Sequence, residues 1–231
     1  IIEQVPVFSM DFGSIDELIV KVGVSFCSIE GALNNLDQEA PHYDFEVYKS
    51  ANEAKWDNQL SRIEIEGASD NEATIFYTSL YHSCTVPNLA SDVDGKYRGT
   101  DLKVHKLPEG ETHYTVFSLW DTFRSLHPLL SWIEPDRTVD FVKTMLRMYE
   151  DGGQLPVWEL AGNYTGCMIG YHSVPVISDA EDWGLSGWDR ELALEAMLQA
   201  ADSAHLGLDS YAVKGYIPSE HESESVSKTL E

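Results

Sequence analysis

The sequence has little positive charge. Of its 231 residues, 15 are Lys or Arg and 39 are Asp or Glu, which gives a formal net charge of −24 at pH 7. A surface this negative repels nucleic-acid phosphates and anionic lipid headgroups. We therefore expect no nucleic-acid partner and no membrane partner. A neutral or cationic ligand, or adaptation to a salty medium, fits this charge better.

Long apolar runs and cysteine pairs are also missing. No stretch of about 18 apolar residues occurs, so we expect no transmembrane helix. The three cysteines, Cys27, Cys84 and Cys167, lie far apart without a CxxC motif, and an odd number cannot pair fully within one chain. We expect them to be small buried side chains rather than a disulfide framework.

A starting methionine and a signal peptide are absent, since the sequence begins at Ile1. The sequence ends in ESVSKTLE, which predicts a helix without any stop signal. We therefore expect the chain to be an excerpt of a longer protein.

Apolar and aromatic residues are abundant. Hydrophobic residues make up 43% of the sequence and aromatic residues 11%, which is enough for a large core and excludes general disorder. Sugar-binding clefts use such aromatic side chains, although a large core accounts for the composition equally well.

The first part of the chain predicts strands followed by helices. Residues 1–27 alternate in hydropathy and are rich in β-branched residues, which is typical of two strands at the end of a sheet. Ser28 is a favourable N-cap for a short helix, and an amphipathic helix over 45–66 follows. The sequence therefore predicts a helical linker over 28–67.

The rest of the chain predicts helices of two kinds. A helix near 75–85, capped by Asp70, and a helix near 167–178 are apolar almost all round, which favours burial. Helices near 137–150 and 189–203 are amphipathic. Inner helices surrounded by outer helices describe an α/α toroid, although a plain helical bundle gives similar patterns.

An acidic loop separates the linker from these helices. SDVDGKYRGTD contains an Asp-Gly pair at 94–95, which favours a hairpin turn. Asp92 and Asp94 could instead begin a calcium-binding loop. Lys96, Tyr97 and Lys103 stand where that loop requires a ligand, a glycine and a glutamate, so the calcium loop is excluded.

Two segments each place an indole beside a carboxylate. SLWDTFR contains Trp120, Asp121 and Arg124, and the predicted loop QLPVWELAGNYTG contains Trp158 and Glu159. An indole offers a flat platform for the C–H face of a sugar, and a carboxylate accepts strong hydrogen bonds from hydroxyl groups. These residues are candidates for a carbohydrate site, and glycoside hydrolysis itself needs two carboxyl groups.

Structural roles are the alternative for the same residues. Asp121 would then accept backbone N–H groups at the start of a predicted helix over 118–131, with Arg124 as its ion-pair partner, and Glu159 would cap the segment after it. The acidic run at 220–224 contains a histidine, but a solvated helix start is favoured there over a metal site. No serine-hydrolase elbow, zinc-protease, P-loop or dinucleotide motif is present.

Four long blocks resemble one known family. They are IFYTSLYHSCTVPNLASDVDGKYRG, YTVFSLWDTFRSLHPLLS, LPVWELAGNYTGCMIGYHSVPVI and GYIPSEHESESVSKTLE. In this order they resemble glycoside hydrolase family 92, the calcium-dependent exo-α-mannosidases. VKVGVSFCSIEGALNNLDQE is similar to the segment that joins the two domains of that family.

The resemblance implies a β-sandwich followed by an (α/α)6 catalytic domain. Residues 1–27 would be the end of the sandwich, 28–67 the helical linker and 68–231 the first part of the catalytic toroid. The expected fold class is thus mainly α with an N-terminal β remnant.

The resemblance also implies a reaction. Family members release terminal mannose with inversion, helped by a Ca²⁺ ion that supports ring distortion. An inverting enzyme uses an acid and a base roughly 6.5–9.5 Å apart. The family's acid, base and calcium segments follow SVSKTLE, so we expect no catalytic residue and no metal ligand here, and an inactive excerpt. The expected substrates are α-mannosides or N-glycans, and the expected location is extracellular or periplasmic.

Substrate-binding roles follow from the matching blocks. Asp121 would grip the terminal mannose, Trp120 would shape the pocket and Arg124 would orient Asp121. Trp158 and Glu159 would line the pocket, with structural bracing as the alternative. Two rival functions are another toroidal carbohydrate-active enzyme with Glu159 as its acid, and a non-catalytic carbohydrate-binding or scaffold protein.

Overall fold

Helices dominate the computed structural model, which describes residues 9–202, 207–220 and 225–230. The helices are α1 (Ile29–Glu39), α2 (Phe45–Leu60), α3 (Asp70–Ser83), α4 (Leu119–Thr122), α5 (Leu126–Ile133), α6 (Pro135–Gly152), α7 (Ser173–Asp182), α8 (Arg190–Asp202), α9 (Leu208–Lys214) and α10 (Ser225–Leu230). The prediction of a mainly helical chain is confirmed. None of these helices is both long and apolar enough to cross a membrane.

The strands are short and form three small antiparallel sheets. They are β1 (Asn88–Leu89), β2 (Lys96–Arg98), β3 (Val104–Lys106), β4 (Tyr114–Thr115), β5 (Phe117–Ser118), β6 (Trp158–Leu160) and β7 (Asn163–Tyr164). Within the described residues, β1 pairs with β4, β2 pairs with β3, and β5, β6 and β7 form a three-stranded sheet in that order.

The N-terminal segment is not a sheet in this structure. Residues 9–27 contain no paired strand, and residues 1–8 lie outside the described part of the chain. Exposure nevertheless alternates over 20–27. Val20, Val22 and Val24 are 65%, 76% and 64% exposed, while the residues between them are partly covered. A strand requires a hydrogen-bonded partner, and the described residues offer none here. The β-sandwich therefore stays a prediction.

Helices α1 and α2 begin where the sequence predicts helices. The Ser28 hydroxyl accepts a hydrogen bond from the Gly31 N–H at 2.9 Å and starts α1. The Asp44 carboxylate accepts from two backbone N–H groups at the start of α2. Helix α2 ends at Leu60, earlier than the predicted end at 66, and Arg62 then turns toward the next helices.

A buried polar junction joins α1 to the acidic loop. Asp92 is 5% exposed, and its two oxygens accept hydrogen bonds from Ser25 Oγ and Asn35 Nδ2, each at 2.8 Å. The Asn35 side-chain oxygen accepts from the Val93 N–H at 2.9 Å. A Cβ at Gly31 would overlap the Asp92 and Ser25 side chains, so only glycine fits. This satisfied network fixes the linker against the acidic loop.

An ion pair makes a second junction, between the linker and the turn from α5 to α6. Arg62 Nε lies 3.1 Å from Glu134 Oε1, and an Arg62 N–H group also donates to the Ile133 carbonyl oxygen. Glu134 is 5% exposed. Because a buried carboxylate without a partner is costly, this contact ties Arg62 to that turn.

Helix α3 differs from its predicted position. Ser69, rather than Asp70, is the N-cap, in a capping box with Glu72. Among the residues of α3 only Leu80 is buried, while Ile75 is 60% exposed. The prediction of a helix buried on most sides is wrong for the described part of this chain. An apolar helix is buried only on the faces that neighbouring elements cover. Because α3 packs mainly on α2, its other faces stay exposed.

Helix α6 forms the centre of the core instead. It packs against α5, α7 and α8, and it carries seven buried residues: Thr138, Phe141, Val142, Thr144, Met145, Leu146 and Met148. The predicted amphipathic helix near 137–150 is confirmed as α6, whereas its outer position in a toroid stays a prediction. The described helices close no ring, so the toroid stays a prediction.

Two predicted boundaries also shift. Helix α7 begins at Ser173 rather than near 167, because Gly170 has a φ of +84° in the preceding loop. Pro175 lies in the first turn of α7, where proline removes no helical hydrogen bond, so it does not interrupt the helix. Asp94 and Gly95 form a turn before β2, but this turn does not connect the strands of a hairpin. The loop that connects β2 to β3 is formed by residues 99–103.

We predict that Phe141→Ala destabilises the chain by about 3–5 kcal/mol, because the ring is 1% exposed and its loss leaves a cavity. The Phe141 ring packs edge-on against Tyr114, Phe117 and His127, with centroids 4.8, 5.9 and 6.0 Å away. Urea unfolding measures the change. Trp132→Ala, which removes a 61% exposed ring, is the control and should cost below about 1 kcal/mol. Equal losses of stability in the two variants would contradict the placement of Phe141 in the core.

Thiol labelling should distinguish Cys27 from Cys167. Burial, followed by the nearby Asp92 charge, raises the pKa of the Cys27 thiol to about 11, so about one thiol in a thousand is ionised at pH 8. We expect iodoacetamide to modify the exposed Cys167 first, as peptide mass spectrometry would show. The Asp92→Asn variant removes that charge and should speed labelling of Cys27. Equal labelling rates for Cys27 and Cys167 would contradict the burial of Cys27 beside Asp92.

Candidate functional site

Pairing between β5 and β6 brings the two indole–carboxylate segments together. Phe117 pairs with Glu159, and Ser118 pairs with Trp158. The second segment is a β6–β7 hairpin rather than the predicted loop, and it turns at Ala161 and Gly162. Segments about forty residues apart in sequence are therefore adjacent strands of one sheet.

The two faces of this sheet differ in exposure. Directly opposite residues of an antiparallel pair share a face, and neighbours along a strand alternate. Phe117 and Glu159 are each 0% exposed and form the buried face. Ser118 and Trp158, which are partly exposed, lie on the outer face with the exposed Leu160. Ligand contacts from this sheet must therefore come from the outer face.

Asp121 and Trp120 follow directly after β5. The predicted helix over 118–131 is in fact two helices, α4 and α5, separated by residues 123–125. Asp121 is exposed in α4, and its Oδ2 accepts a hydrogen bond from Ser118 Oγ at 2.5 Å. Its other oxygen, Oδ1, accepts no hydrogen bond from the described residues, so it is available to a ligand. Trp120 beside it is 36% exposed.

Arg124 lies apart from Asp121. Its guanidinium carbon lies 4.9 Å from the centre of the Phe123 ring, a cation–π contact. No ion pair joins it to Asp121 within the described residues, because the chain leaves α4 at Phe123 and Ser118 holds the carboxylate. Orientation of Asp121 by Arg124 is therefore not seen in this structure. A direct substrate contact by Arg124 stays a prediction.

Glu159 is buried and accepts hydrogen bonds from Thr115, Val116 and Gly162. The Thr115 hydroxyl lies 2.9 Å from Oε1 and 3.1 Å from Oε2, the Gly162 N–H donates to Oε1 at 2.6 Å, and the Val116 N–H donates to Oε2 at 3.2 Å. Burial raises the pKa of this carboxyl group, and the hydrogen bonds partly oppose that shift. Both oxygens are engaged, which favours the bracing role over pocket lining.

The backbone around Glu159 is strained. Val116 and Ala161 have φ angles of +66° and +54°, and Gly162 has +74°. A left-handed conformation costs a residue other than glycine on the order of 1–3 kcal/mol. The amide of each of these residues donates to Glu159 or to the Thr115 hydroxyl, which Ala161 reaches at 2.6 Å. The Thr115–Glu159 pair therefore holds both bends.

Sequence reasoning missed Ser118 and Thr115. Ser118 stands three residues before Asp121, and this Ser-x-x-Asp spacing is the signal that could have found it. Thr115 carries no such signal, because its contact with Glu159 spans 44 residues.

The described residues do not by themselves form a hydrolytic centre. Asp121 lies beyond the outer face and Glu159 on the buried face, so the two carboxylates do not face a common space. No group of three or more His, Cys, Asp or Glu among them could hold a metal ion. The acidic run at 220–224 lies almost wholly outside the described residues. The described residues fit part of a binding surface.

Comparisons with known proteins agree on one family. A sequence model described as "Glycosyl hydrolase family 92 catalytic domain" matches residues 31–231. The family GH92 alpha-mannosidase BT3965 from Bacteroides thetaiotaomicron has a similar structure, with a TM-score of 0.84 and 40% identity over 90% of this chain. A structure of that mannosidase in complex with mannoimidazole matches with the same TM-score and identity.

A second mannosidase of the same species is also similar. The GH92 inverting mannosidase BT2199 has a TM-score of 0.76 and 31% identity over 84% of this chain. The chain spans 28% of BT3965, 27% of the mannoimidazole complex and 27% of BT2199. No curated protein gives a significant match. The resemblance seen in the sequence blocks is confirmed, and the chain belongs to glycosyl hydrolase family 92.

Proposed function

We propose that the protein containing this chain is an exo-acting, inverting α-mannosidase that acts on α-mannosides, including those of N-glycans. Family membership supports this proposal, as do the mannosidase activities named for two similar structures. Binding of mannoimidazole by one of them supports a mannose-like ligand. An extracellular or periplasmic location of this protein is part of the proposal.

The observation that carries the proposal is the pairing of Ser118 with Trp158, which brings Trp158 beside the segment that contains Trp120 and Asp121. The Asp121 Oδ1 atom is available to accept hydrogen bonds from sugar hydroxyls, and charge-assisted bonds of this kind are strong. The two indoles are partly exposed and offer apolar faces for sugar C–H groups. Ser118 fixes the orientation of Asp121 by occupying Oδ2.

In this mechanism the chain binds and orients the terminal sugar. Inverting hydrolysis needs a carboxylic acid at the leaving oxygen and a carboxylate at the attacking water, on opposite sides of the ring. Asp121 and Glu159 cannot be this acid and base, because Glu159 is 0% exposed and does not reach a substrate. We therefore propose that the acid and the base come from other parts of the protein and that this chain alone is inactive.

The rival enzyme with Glu159 as its acid is less well supported. Both Glu159 oxygens already accept hydrogen bonds, and a general acid must reach the leaving oxygen of the substrate. A non-catalytic carbohydrate-binding protein would use the same outer surface. The activity of the complete protein distinguishes these functions.

Asp121→Ala in the complete protein should lower kcat/KM for an α-manno-oligosaccharide by about 100-fold or more. The variant loses hydrogen bonds to a charged group, each contributing about 1.5–3 kcal/mol. Mannose release measured by chromatography tests this. The matched control is Asp70→Ala, which removes an acidic residue from the first turn of α3 and should change kcat/KM less than about twofold. Equal effects would assign Asp121 a helix-terminal role only.

Calcium dependence is a separate expectation. EDTA should abolish mannose release by the complete protein, and added Ca²⁺ should restore it, because the family resemblance implies a Ca²⁺ ion that supports ring distortion. No group of three or more His, Cys, Asp or Glu that could hold a metal ion lies among the described residues. We propose that the ligands of the ion lie elsewhere in the protein. Full activity after EDTA treatment and dialysis would instead favour the rival enzyme.

A further inference from the structure

The Thr115 hydroxyl links two loops that are distant in sequence. It donates to the Glu159 carboxylate and accepts from the Ala161 N–H at 2.6 Å. Thr115 is 3% exposed and Glu159 is 0% exposed. A ligand therefore touches neither side chain, although both lie directly beneath the strands that carry the binding surface.

The two bends held by this pair set the direction of those strands. The bend at Val116 immediately precedes β5, whose Ser118 pairs with Trp158 and holds Asp121. The turn at Ala161 and Gly162 immediately follows β6, which carries Trp158. Relaxation of either strained bend would rotate the outer face, so the distance from Trp158 to Asp121 depends on the pair.

Only an acceptor fits at the Glu159 oxygens. The Thr115 hydroxyl and the N–H groups of Val116 and Gly162 that donate to this carboxylate are neutral, and each oxygen receives one of these two N–H groups. A glutamine amide would place an NH₂ group against one of these N–H groups in either orientation. The role of Glu159 here is therefore to accept hydrogen bonds with both of its carboxylate oxygens.

We infer that Thr115 and Glu159 are positioning residues for mannose binding by Asp121 and Trp158. They hold the strained bends on which the spacing of the two sugar-binding segments depends. This inference rests on the proposed function, because it concerns the same binding surface.

Calorimetric titration of the complete protein with mannoimidazole tests the inference. Thr115→Val keeps the side-chain shape but removes the hydroxyl, and we expect the Kd to rise at least tenfold with a binding stoichiometry near one. A role in folding alone would lower the stoichiometry of competent sites and leave the Kd unchanged. Thr115→Ser keeps the hydroxyl and should recover most of the lost affinity.

Thr138→Val is the matched control. Like Thr115, Thr138 is a buried threonine, and it is 0% exposed. Its hydroxyl has no hydrogen-bond partner among the described residues. The Kd of Thr138→Val for mannoimidazole should stay within twofold of the wild-type value. Glu159→Gln provides a second variant, with an expected rise in Kd at least as large as that of Thr115→Val.

The outcomes separate the two proposals. If the wild type binds mannoimidazole and Thr115→Val binds it equally well, the positioning role is overturned while the proposed function stands. If the wild type neither binds mannoimidazole nor releases mannose, the proposed function fails and the inference fails with it. An equal loss of affinity in Thr138→Val would also overturn the positioning role, because general disturbance of the core would then explain it.

Discussion

The pairing of β5 with β6 is the contact on which the rest of the site depends. It consists of two residue pairs, yet it unites segments that would otherwise be separate loops. Its buried side is closed by Phe117 and Glu159, and its outer side presents Ser118 and Trp158. Because so short a ladder contributes few hydrogen bonds, its geometry relies on the Thr115–Glu159 pair beneath it and on the packing of Phe117 against Phe141 in α6.

The sequence predicts local structure well where a local signal exists. The cap at Ser28 lies where the pattern indicates, and the family follows from long blocks in a fixed order. Burial was predicted poorly. The apolar surface of α3 and the amphipathic pattern of α6 describe what each helix can bury, whereas the neighbours decide what it does bury.

The candidate site shows the same division. Trp120, Asp121 and Trp158 could be singled out because an indole beside a carboxylate is visible in the sequence. The burial of Glu159 in the sheet and the contact of Arg124 with Phe123 could not be predicted. Both depend on backbone bends and on contacts distant in sequence. Two-residue strands are also too short for a period of two to be recognised.

The close approach of α1 to Asp92 makes tolerance to mutation uneven along the linker. A helix interior by itself favours alanine over glycine. At Gly31 that preference is reversed, because a methyl group would meet the carboxylate that Ser25 and Asn35 also contact. A substitution that helps the isolated helix would thus break the junction between α1 and the acidic loop, so helix stability and junction stability are opposed at position 31.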